Sequence, residues 1–377
     1  MNLDTKPMKY SLIITLMSFS LVALGQDMDQ LIAEGREQVE KQEFAEAITT
    51  FSKAIAAYPL EPVPYFERGK VQLMQEDFYG AIGDFNFAIE YSPRYAEAYN
   101  LRGEAKYYLL DNYAAIDDFD QALKINPDLV VAYSNRAFAK FDMDDDEGAY
   151  FDFSKAIQKD PSDPDKYFNR GVVRAELGEY VGAIDDYNKS IELDSLDPEV
   201  WNNRGLAYFA LGELETALAD FDRAIAMDST DAIKFDNRAL TKTGMEDLEG
   251  ALADYDKSIA LFGEDPDTYN LRGVIKYNLE KYDEAIEDYN IAISIDPEDA
   301  LYYDNRAAAR NDSGDFNGAI KDYTTSIVIF PNDPETFYFR AMAKFSKEDN
   351  FDGCFDLQIA TDMGLPEAKE LLKEKCK

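Results

Sequence analysis

A fixed spacing of 34 residues constrains the fold of this chain more than any other feature. The stretch Trp201-Asn202-Asn203-Arg204-Gly205 has a close relative every 34 residues, ten times in all, without an insertion or deletion. The residue that closes each copy is small: Gly35, Gly69, Gly103, Ala137, Gly171, Gly205, Ala239, Gly273, Ala307 and Ala341. A period of this size is typical of arrays in which each repeat is one supersecondary unit that packs on its neighbours.

Each repeat has the same internal order of helix signals. With the small residue at position 8, the repeats span 28–61, 62–95, 96–129, 130–163, 164–197, 198–231, 232–265, 266–299, 300–333 and 334–367. Roughly the first fourteen positions predict helix A, a short turn follows, and the remaining positions predict helix B. On helix B, small, aromatic and small residues share one face, as Ala217, Phe221 and Ala224 do. Prolines such as Pro59 and Pro297 end helix B, because proline cannot continue a helix.

Composition argues against several classes of function. The formal net charge is -37, from 75 acidic and 38 basic residues, so nucleic acid and anionic membrane surfaces would be repelled. The chain has no histidine, which removes the commonest general base and the commonest metal ligand. It also has no nucleophile elbow, no phosphate-binding loop and no insert outside the repeats. We therefore expect a protein that is not an enzyme and that uses no cofactor and no metal.

The first 25 residues differ in kind from the repeats. Lys6 and Lys9 precede an apolar run from Leu12 to Leu24, which ends in the small-x-small sequence Ala23-Leu24-Gly25. This pattern predicts a secretory signal peptide over residues 1–25, and an uncleaved N-terminal anchor is the alternative. We therefore expect a periplasmic or extracellular protein with no membrane insertion after cleavage.

The repeats resemble the tetratricopeptide repeat (TPR) family. The aromatic residue, the apolar residue and glycine of helix A, followed by Ala, Phe, Ala and Pro on helix B, match the family pattern over residues 28–367. The resemblance implies an all-α fold, a right-handed superhelical solenoid of antiparallel helix pairs, with helix A on the concave face and helix B on the convex face. Residues 366–377 predict a C-terminal cap helix with Ala368, Leu371 and Leu372 as its buried stripe.

An arginine at position 7 and an aspartate at position 23 occur together. Repeats two to ten have both residues, and repeat one has Glu34 and Thr50 instead. Because the two residues are lost together, we predict structural ion pairs within each repeat, joining helix A to helix B. The predicted pairs are Arg68–Asp84, Arg102–Asp118, Arg136–Asp152, Arg170–Asp186, Arg204–Asp220, Arg238–Asp254, Arg272–Asp288, Arg306–Asp322 and Arg340–Asp356.

Position 11, one helical turn later, is also basic in most repeats. It holds Lys106, Lys140, Arg174, Lys242, Lys276, Arg310 and Lys344. We expect these cations to form a solvent-exposed row of charges that balances the acids near the turn, such as Asp111, Asp145 and Glu179.

The TPR resemblance implies that ligands contact positions 2, 5, 6, 9, 12 and 13 of helix A. Position 6 carries an asparagine ladder, whose amides could donate and accept hydrogen bonds along an extended peptide: Asn135, Asn169, Asn203, Asn237 and Asn305. Nearby apolar candidates on the same face are Phe138, Phe141, Leu206, Phe209 and Tyr277. The alternative is that the asparagines merely face solvent and the apolar residues pack between repeats.

Both cysteines lie near the C-terminus, at Cys354 and Cys376. If helix B of repeat ten and the cap helix are antiparallel, both sulfurs lie at about the same height, which favours a disulfide over two free thiols. Such a disulfide is compatible with export.

A non-catalytic scaffold that binds protein or an extended peptide on its concave face is the function that these features favour. A spacer or docking subunit of a larger envelope or secretion assembly, or a glycan-binding module, remains an alternative.

Overall fold

The computed structural model describes residues 28–376. The predicted signal peptide lies outside the described residues, which contain helices and turns but no strand. The chain divides into two compact units, one up to Leu193 and one from Asp194. The first unit contains the helices of predicted repeats one to five, and the second contains the helices of repeats six to ten and the cap helix.

The helices follow the repeat boundaries. In the first unit, α1 spans residues 28–40, and the others are α2 (Phe44–Ala57), α3 (Pro62–Met74), α4 (Phe78–Tyr91), α5 (Ala96–Tyr108), α6 (Asn112–Ile125), α7 (Val130–Phe141), α8 (Asp146–Lys159), α9 (Pro164–Glu176) and α10 (Tyr180–Leu193). In the second unit they are α11 (Pro198–Ala210), α12 (Leu214–Met227), α13 (Ala232–Gly244), α14 (Leu248–Leu261), α15 (Pro266–Asn278), α16 (Tyr282–Ile295), α17 (Ala300–Asp312), α18 (Phe316–Ile329), α19 (Pro334–Ser346), α20 (Asn350–Asp362) and α21 (Pro366–Lys375). Odd-numbered helices up to α19 are helix A of a repeat, and even-numbered helices are helix B.

Aspartate caps the start of many helices, both helix A and helix B of the repeats. Asp197 accepts a hydrogen bond from the amide of Glu199 at the start of α11, and Asp145 accepts one from Gly148 at the start of α8. A carboxylate at this position satisfies a free backbone N–H and interacts favourably with the positive end of the helix dipole. Part of the acidity of the chain therefore stabilises helix ends.

The turn between helix A and helix B requires a left-handed backbone at position 15. Glycine occupies this position in Gly178, Gly212 and Gly314. The other seven repeats adopt φ values from 59° to 63° with a non-glycine residue: Gln42, Glu76, Leu110, Asp144, Glu246, Glu280 and Glu348. Most repeats therefore carry a residue with a Cβ in a conformation that glycine adopts at no steric cost.

In repeats one to nine, the core contains an aromatic ring on helix B that packs against the small residue at position 8 of helix A, and repeat ten has Leu357 instead of the ring. A Cβ added to Gly205 would lie 2.8 Å from the ring of Phe221, which is fully buried. A Cβ added to Gly35 would lie 2.4 Å from Phe51. This close approach explains why only glycine or alanine occurs at position 8.

The cap helix α21 covers the last repeat. Ala368 is fully buried, and Leu371 and Leu372 pack on the same cluster as Leu357 and Phe337. Cys354 on α20 and Cys376 at the end of α21 form a disulfide, with their Cα atoms 5.7 Å apart. The crosslink therefore closes a segment that contains most of α20 and all of α21.

Within residues 28–376, we find no helix that combines the length and the apolar character needed to cross a bilayer.

Candidate functional site

The position-7 arginine binds the aspartate of its own repeat through two parallel hydrogen bonds. Arg68 donates from Nε and Nη2 to the two carboxylate oxygens of Asp84, both at 2.7 Å. The same pair of bonds occurs in repeats two to ten, at 2.5–2.9 Å. The hydrogen bond that Arg68 donates to Asp84 holds the pKa of Arg68 above its usual value, although burial opposes this. We call this arginine–aspartate pair the clamp.

The clamp also reaches the preceding repeat. Nη1 of Arg136 contacts Asp120 on α6 at 2.5 Å, and Nη1 of Arg68 donates to Ser52 on α2 at 2.8 Å. Position 25 supplies the acceptor in eight such contacts: Ser52, Asn86, Asp120, Ser154, Asp222, Asp256, Asn290 and Thr324. Each of these arginines therefore joins three helices from two repeats. The sequence signal for this contact is the polar residue at position 25 of the preceding repeat.

The prediction for the position-11 cations was wrong. All seven bind the buried clamp aspartate, at 2.6–3.0 Å. Only Arg174 and Arg310 also approach an acid of the turn, at 3.8 and 3.9 Å. Position 11 lies one helical turn from position 7 on the same face, so both cations reach one carboxylate, which can accept several hydrogen bonds.

Three members of the asparagine ladder bind within the protein. Asn237 donates from Nδ2 to Asn202 Oδ1 at 3.0 Å, and Asn202 is buried. Asn135 and Asn305 make the same contact with an asparagine on helix A of the preceding repeat, at 3.3 and 2.8 Å. These amides therefore contribute to contacts between repeats, which the solvent-facing interpretation did not include.

The other two asparagines differ from these three. Asn203 donates to the carbonyl of Glu199 on its own helix at 2.9 Å, and Asn169 is half-buried on α9. The structure therefore does not place the five asparagines in one equivalent row.

Two of the apolar candidates pack into the core. Phe138 and Phe141 join the cluster around Phe153, and the rings of Phe138 and Phe153 meet edge to face at 5.2 Å. The remaining candidates are on the second unit. Leu206 is 37% exposed, and Phe209 and Tyr277 are half-buried. Tyr277 donates its hydroxyl to Asp312 at 2.6 Å.

Three adjoining cavities line the helix A face of repeats one to four. Their volumes are about 630, 250 and 210 Å³. The largest shares Lys70 and Met74 with one neighbour and Glu104 and Tyr108 with the other. We call their combined surface the N-terminal groove, which is lined by Arg36, Val39, Glu40, Glu67, Lys70, Val71, Leu73, Met74, Glu76, Phe78, Leu101, Glu104, Tyr107, Tyr108, Phe119, Asn135 and Phe138.

The groove uses the helix A positions that the TPR resemblance implies, but in different repeats. Positions 9, 12 and 13 of repeats two and three contribute six of its 17 lining residues, and only Asn135 and Phe138 were among the predicted binding residues. The signal that could have found it is charge. Position 9 holds Arg36, Lys70 and Glu104 in the first three repeats and apolar residues in the later ones.

Exposed apolar side chains form the walls of the largest cavity. Met74 is 60% exposed and Tyr108 is 55% exposed. The ring of Tyr108 stacks on Phe78 with centroids 5.2 Å apart. In the adjoining cavity, burial raises the pKa of Tyr107 to about 12, so its hydroxyl stays protonated at neutral pH. The groove therefore offers apolar surface with a few polar groups.

A second kind of cavity lies between repeats in the second unit. A cavity of about 510 Å³ is lined by Asp231, Asp236, Asp265, Ser258 and Thr268, among others. Asp304 is the equivalent of Asp236 two repeats later. Burial raises the pKa of Asp304 to about 6, although hydrogen bonds with hydroxyl groups oppose this shift. Across residues 28–376, no group of acidic or cysteine side chains is arranged to hold a metal ion.

Family models decide the assignment. One model, described as a TPR repeat, matches residues 173–212. Two models described as tetratricopeptide repeat match residues 96–129, and residues 198–231 and 266–299. The chain is a TPR protein. The last three ranges coincide with repeats three, six and eight of the 34-residue period.

Solved structures with similar folds include other TPR proteins. A tetratricopeptide repeat protein from Parabacteroides merdae is 20% identical, with 66% of this chain and 99% of that chain covered and a TM-score of 0.50. Pseudomonas aeruginosa PilF is 21% identical, with 56% and 97% covered and a TM-score of 0.50. At these identities the likeness shows the fold alone. No curated protein sequence matches this chain significantly.

This TPR protein therefore has two surfaces with different chemistry. The clamps hold helix pairs together through buried charge, and each described clamp aspartate is satisfied by the protein itself. The N-terminal groove has exposed apolar walls with a few polar groups among them, which is the usual character of a ligand-binding surface.

Proposed function

We propose that this TPR protein is a non-catalytic scaffold that binds an extended segment of another protein in its N-terminal groove. The observation that carries the proposal is the row of three connected cavities on the helix A face of repeats one to four. A row of cavities along successive helices suits a chain that runs across them and places its side chains in turn. A small molecule would occupy one cavity rather than three.

The exposed walls of the groove supply the affinity. Met74 and Tyr108 expose more than half of their surface, and covering them with a partner removes apolar area from water. Aromatic residues in concave positions are frequent binding hot spots. Asn135 is among the residues that line the cavity of about 250 Å³. These features support binding of a peptide that has apolar side chains.

We propose that the scaffold acts in the periplasm or outside the cell. The signal-peptide pattern of residues 1–25 supports export. The Cys354–Cys376 disulfide also supports it, because such bonds persist in oxidising compartments.

A pair of double variants tests the groove. Met74→Ala with Tyr108→Ala should weaken binding to short peptides selected from an immobilised library by roughly thirty-fold, a typical loss at hot spots. The matched control is Tyr79→Ala with Tyr113→Ala, which removes two exposed tyrosines from helix B of the same repeats. Both double variants should melt within a few degrees of the wild-type protein, because all four side chains are largely exposed. Equal binding by the two double variants would contradict the proposal.

A further inference from the structure

Charge at position 9 of helix A changes along the groove. Arg36 and Lys70 both bind Glu67, with nitrogen–oxygen distances of 2.6 and 2.7 Å. Glu67 is only 3% exposed, so these two cations serve a buried carboxylate of the protein. The third charged residue at this position is Glu104, which forms no ion pair with the described residues.

Glu104 has a single neutral partner. Asn135 donates from Nδ2 to Glu104 Oε2 at 3.4 Å, and the same amide lies 3.3 Å from Asn100 Oδ1. Among residues 28–376, no lysine or arginine lies within ion-pair distance of Glu104. The side chain is half-buried, and burial raises its pKa while Asn135 lowers it. A carboxylate that has lost part of its hydration without gaining a cation is held at a free-energy cost that a positively charged ligand can remove.

The position of Glu104 fits a long basic side chain. It lies between the cavities of about 630 and 250 Å³ and lines both. Leu101 and Tyr108 line the larger cavity, and Tyr107 lines the smaller one. Apolar walls suit the methylene stem of lysine or arginine, and aromatic rings attract its cationic end.

The wider groove has the same sign of charge as Glu104. Its lining includes four glutamates and two basic residues, and both basic residues already bind Glu67. Glu40 and Glu76 are exposed at its rim. An acidic segment would meet repulsion here, whereas a basic segment would be attracted during its approach.

We propose that Glu104 binds a lysine or arginine side chain of the segment that occupies the N-terminal groove. This inference rests on the proposed function, because it names the chemistry that the groove selects. The ammonium or guanidinium group donates hydrogen bonds to Glu104, and its stem packs between Met74 and Tyr108.

Peptide substitutions and protein variants together test this inference. Short peptides that bind the wild-type protein are selected from an immobilised library. One peptide that does not bind the Met74→Ala/Tyr108→Ala protein is then kept for the test. Each lysine or arginine of the peptide is then replaced by norleucine, which keeps the aliphatic stem and removes the charge. One such replacement should weaken binding to the wild-type protein by ten- to hundred-fold, as expected for a charge-assisted hydrogen bond.

The protein variant is Glu104→Gln, which keeps the shape of the side chain. It should bind the original peptide as weakly as the wild-type protein binds the norleucine peptide, and it should not discriminate between the two peptides. The matched control, Glu215→Gln, removes the same charge from an exposed site on α12 and should change neither affinity by more than about two-fold. Circular dichroism melts of both variants check that they are folded.

The outcomes separate the two proposals. Peptides that bind through the groove but tolerate every norleucine replacement, or that bind Glu104→Gln as tightly as wild type, overturn the role of Glu104 and leave the scaffold proposal in place. A library that yields no groove-dependent peptide overturns both.

Discussion

Buried and half-buried carboxylates of the described residues occur in three settings that give them different roles. In the clamp, Asp118 faces Arg102 and Lys106, at 2.5 and 2.7 Å. Asp304 faces a hydroxyl, because Thr336 donates to it at 3.1 Å. Glu104 faces only the amide of Asn135. The same functional group is therefore structural, costly or available to a ligand, depending on what lies within about 3 Å of it.

Asp304 should make stability depend on pH. Its pKa is raised from 3.8 to about 6, chiefly by burial, so the folded protein binds a proton more tightly than the unfolded chain. The contribution of this group to the free energy of unfolding is therefore highest below about pH 4 and falls as pH rises towards 6. At about 1.4 kcal/mol per pKa unit, the loss at neutral pH is at most about 3 kcal/mol.

Replacing Asp304 by asparagine tests this dependence. The variant should be more stable than wild type at pH 7, and the difference should shrink on acidification to pH 4 in urea denaturation. Asp185→Asn, at an exposed site on α10, is the control and should show little of this pattern. A constant difference between Asp304→Asn and wild type across this range would rule out the titration of Asp304.

Helix pairs are the next scale, and the clamp sets how they meet. One guanidinium contacts helix B of its own repeat and helix B of the repeat before it. Most clamps add a second cation at position 11, whereas repeat two has Gln72 there. The side chains of Asp84 and Asp118 are equally buried, each 5% exposed. Repeats two and three are therefore a matched pair with one and two cations.

This pair predicts unequal effects of the same substitution. Arg68→Ala leaves Asp84 buried without a cation and should lower the free energy of unfolding by about 3–5 kcal/mol. Arg102→Ala leaves Asp118 bound to Lys106 and should lower it by clearly less. The measurement is urea denaturation, because guanidinium chloride is a salt and would screen the charges under test. If the two variants lose equal stability, the second cation does not support the carboxylate.

The sequence predicts the helix pairs well because their signals are local or periodic. Position 8 needs a small residue wherever an aromatic ring such as Phe221 approaches, and that need recurs every 34 residues. Charge partners were harder to predict. Lys106 can reach either Asp111 or Asp118 from one position, and only three-dimensional packing decides that it binds Asp118. The location of the N-terminal groove was not predicted for a related reason. Whether a cavity stays open depends on which side chains have no neighbour to pack against, and only the three-dimensional structure decides this.

At the scale of the whole molecule, an array of repeats is stabilised mainly by contacts between neighbours. The disulfide and the cap helix therefore act on the C-terminal end. The N-terminal groove lies in the first unit, and the disulfide lies in the second. The proposed binding site and the crosslinked end are thus located in different parts of the chain.

Removing the disulfide should loosen one end without affecting the groove. Cys354→Ser with Cys376→Ser removes a crosslink of about 3 kcal/mol and exposes amides of α20 and α21 to hydrogen exchange. Amides of α3 and α5 should keep their protection, and affinity for a groove-binding peptide should stay within about two-fold of wild type. Lost protection throughout the chain would show instead that the array unfolds as one unit.

The account depends most directly on where a bound segment lies. One variant carries a photo-crosslinking residue in place of Tyr108, in the N-terminal groove. A second variant carries it in place of Tyr113, which is exposed on helix B of the same repeat. Each variant is irradiated with a labelled peptide that was selected for binding to the wild-type protein. The account predicts efficient crosslinking at Tyr108 that excess unlabelled peptide abolishes, with none above background at Tyr113. Crosslinking at Tyr113 and not at Tyr108 would contradict it.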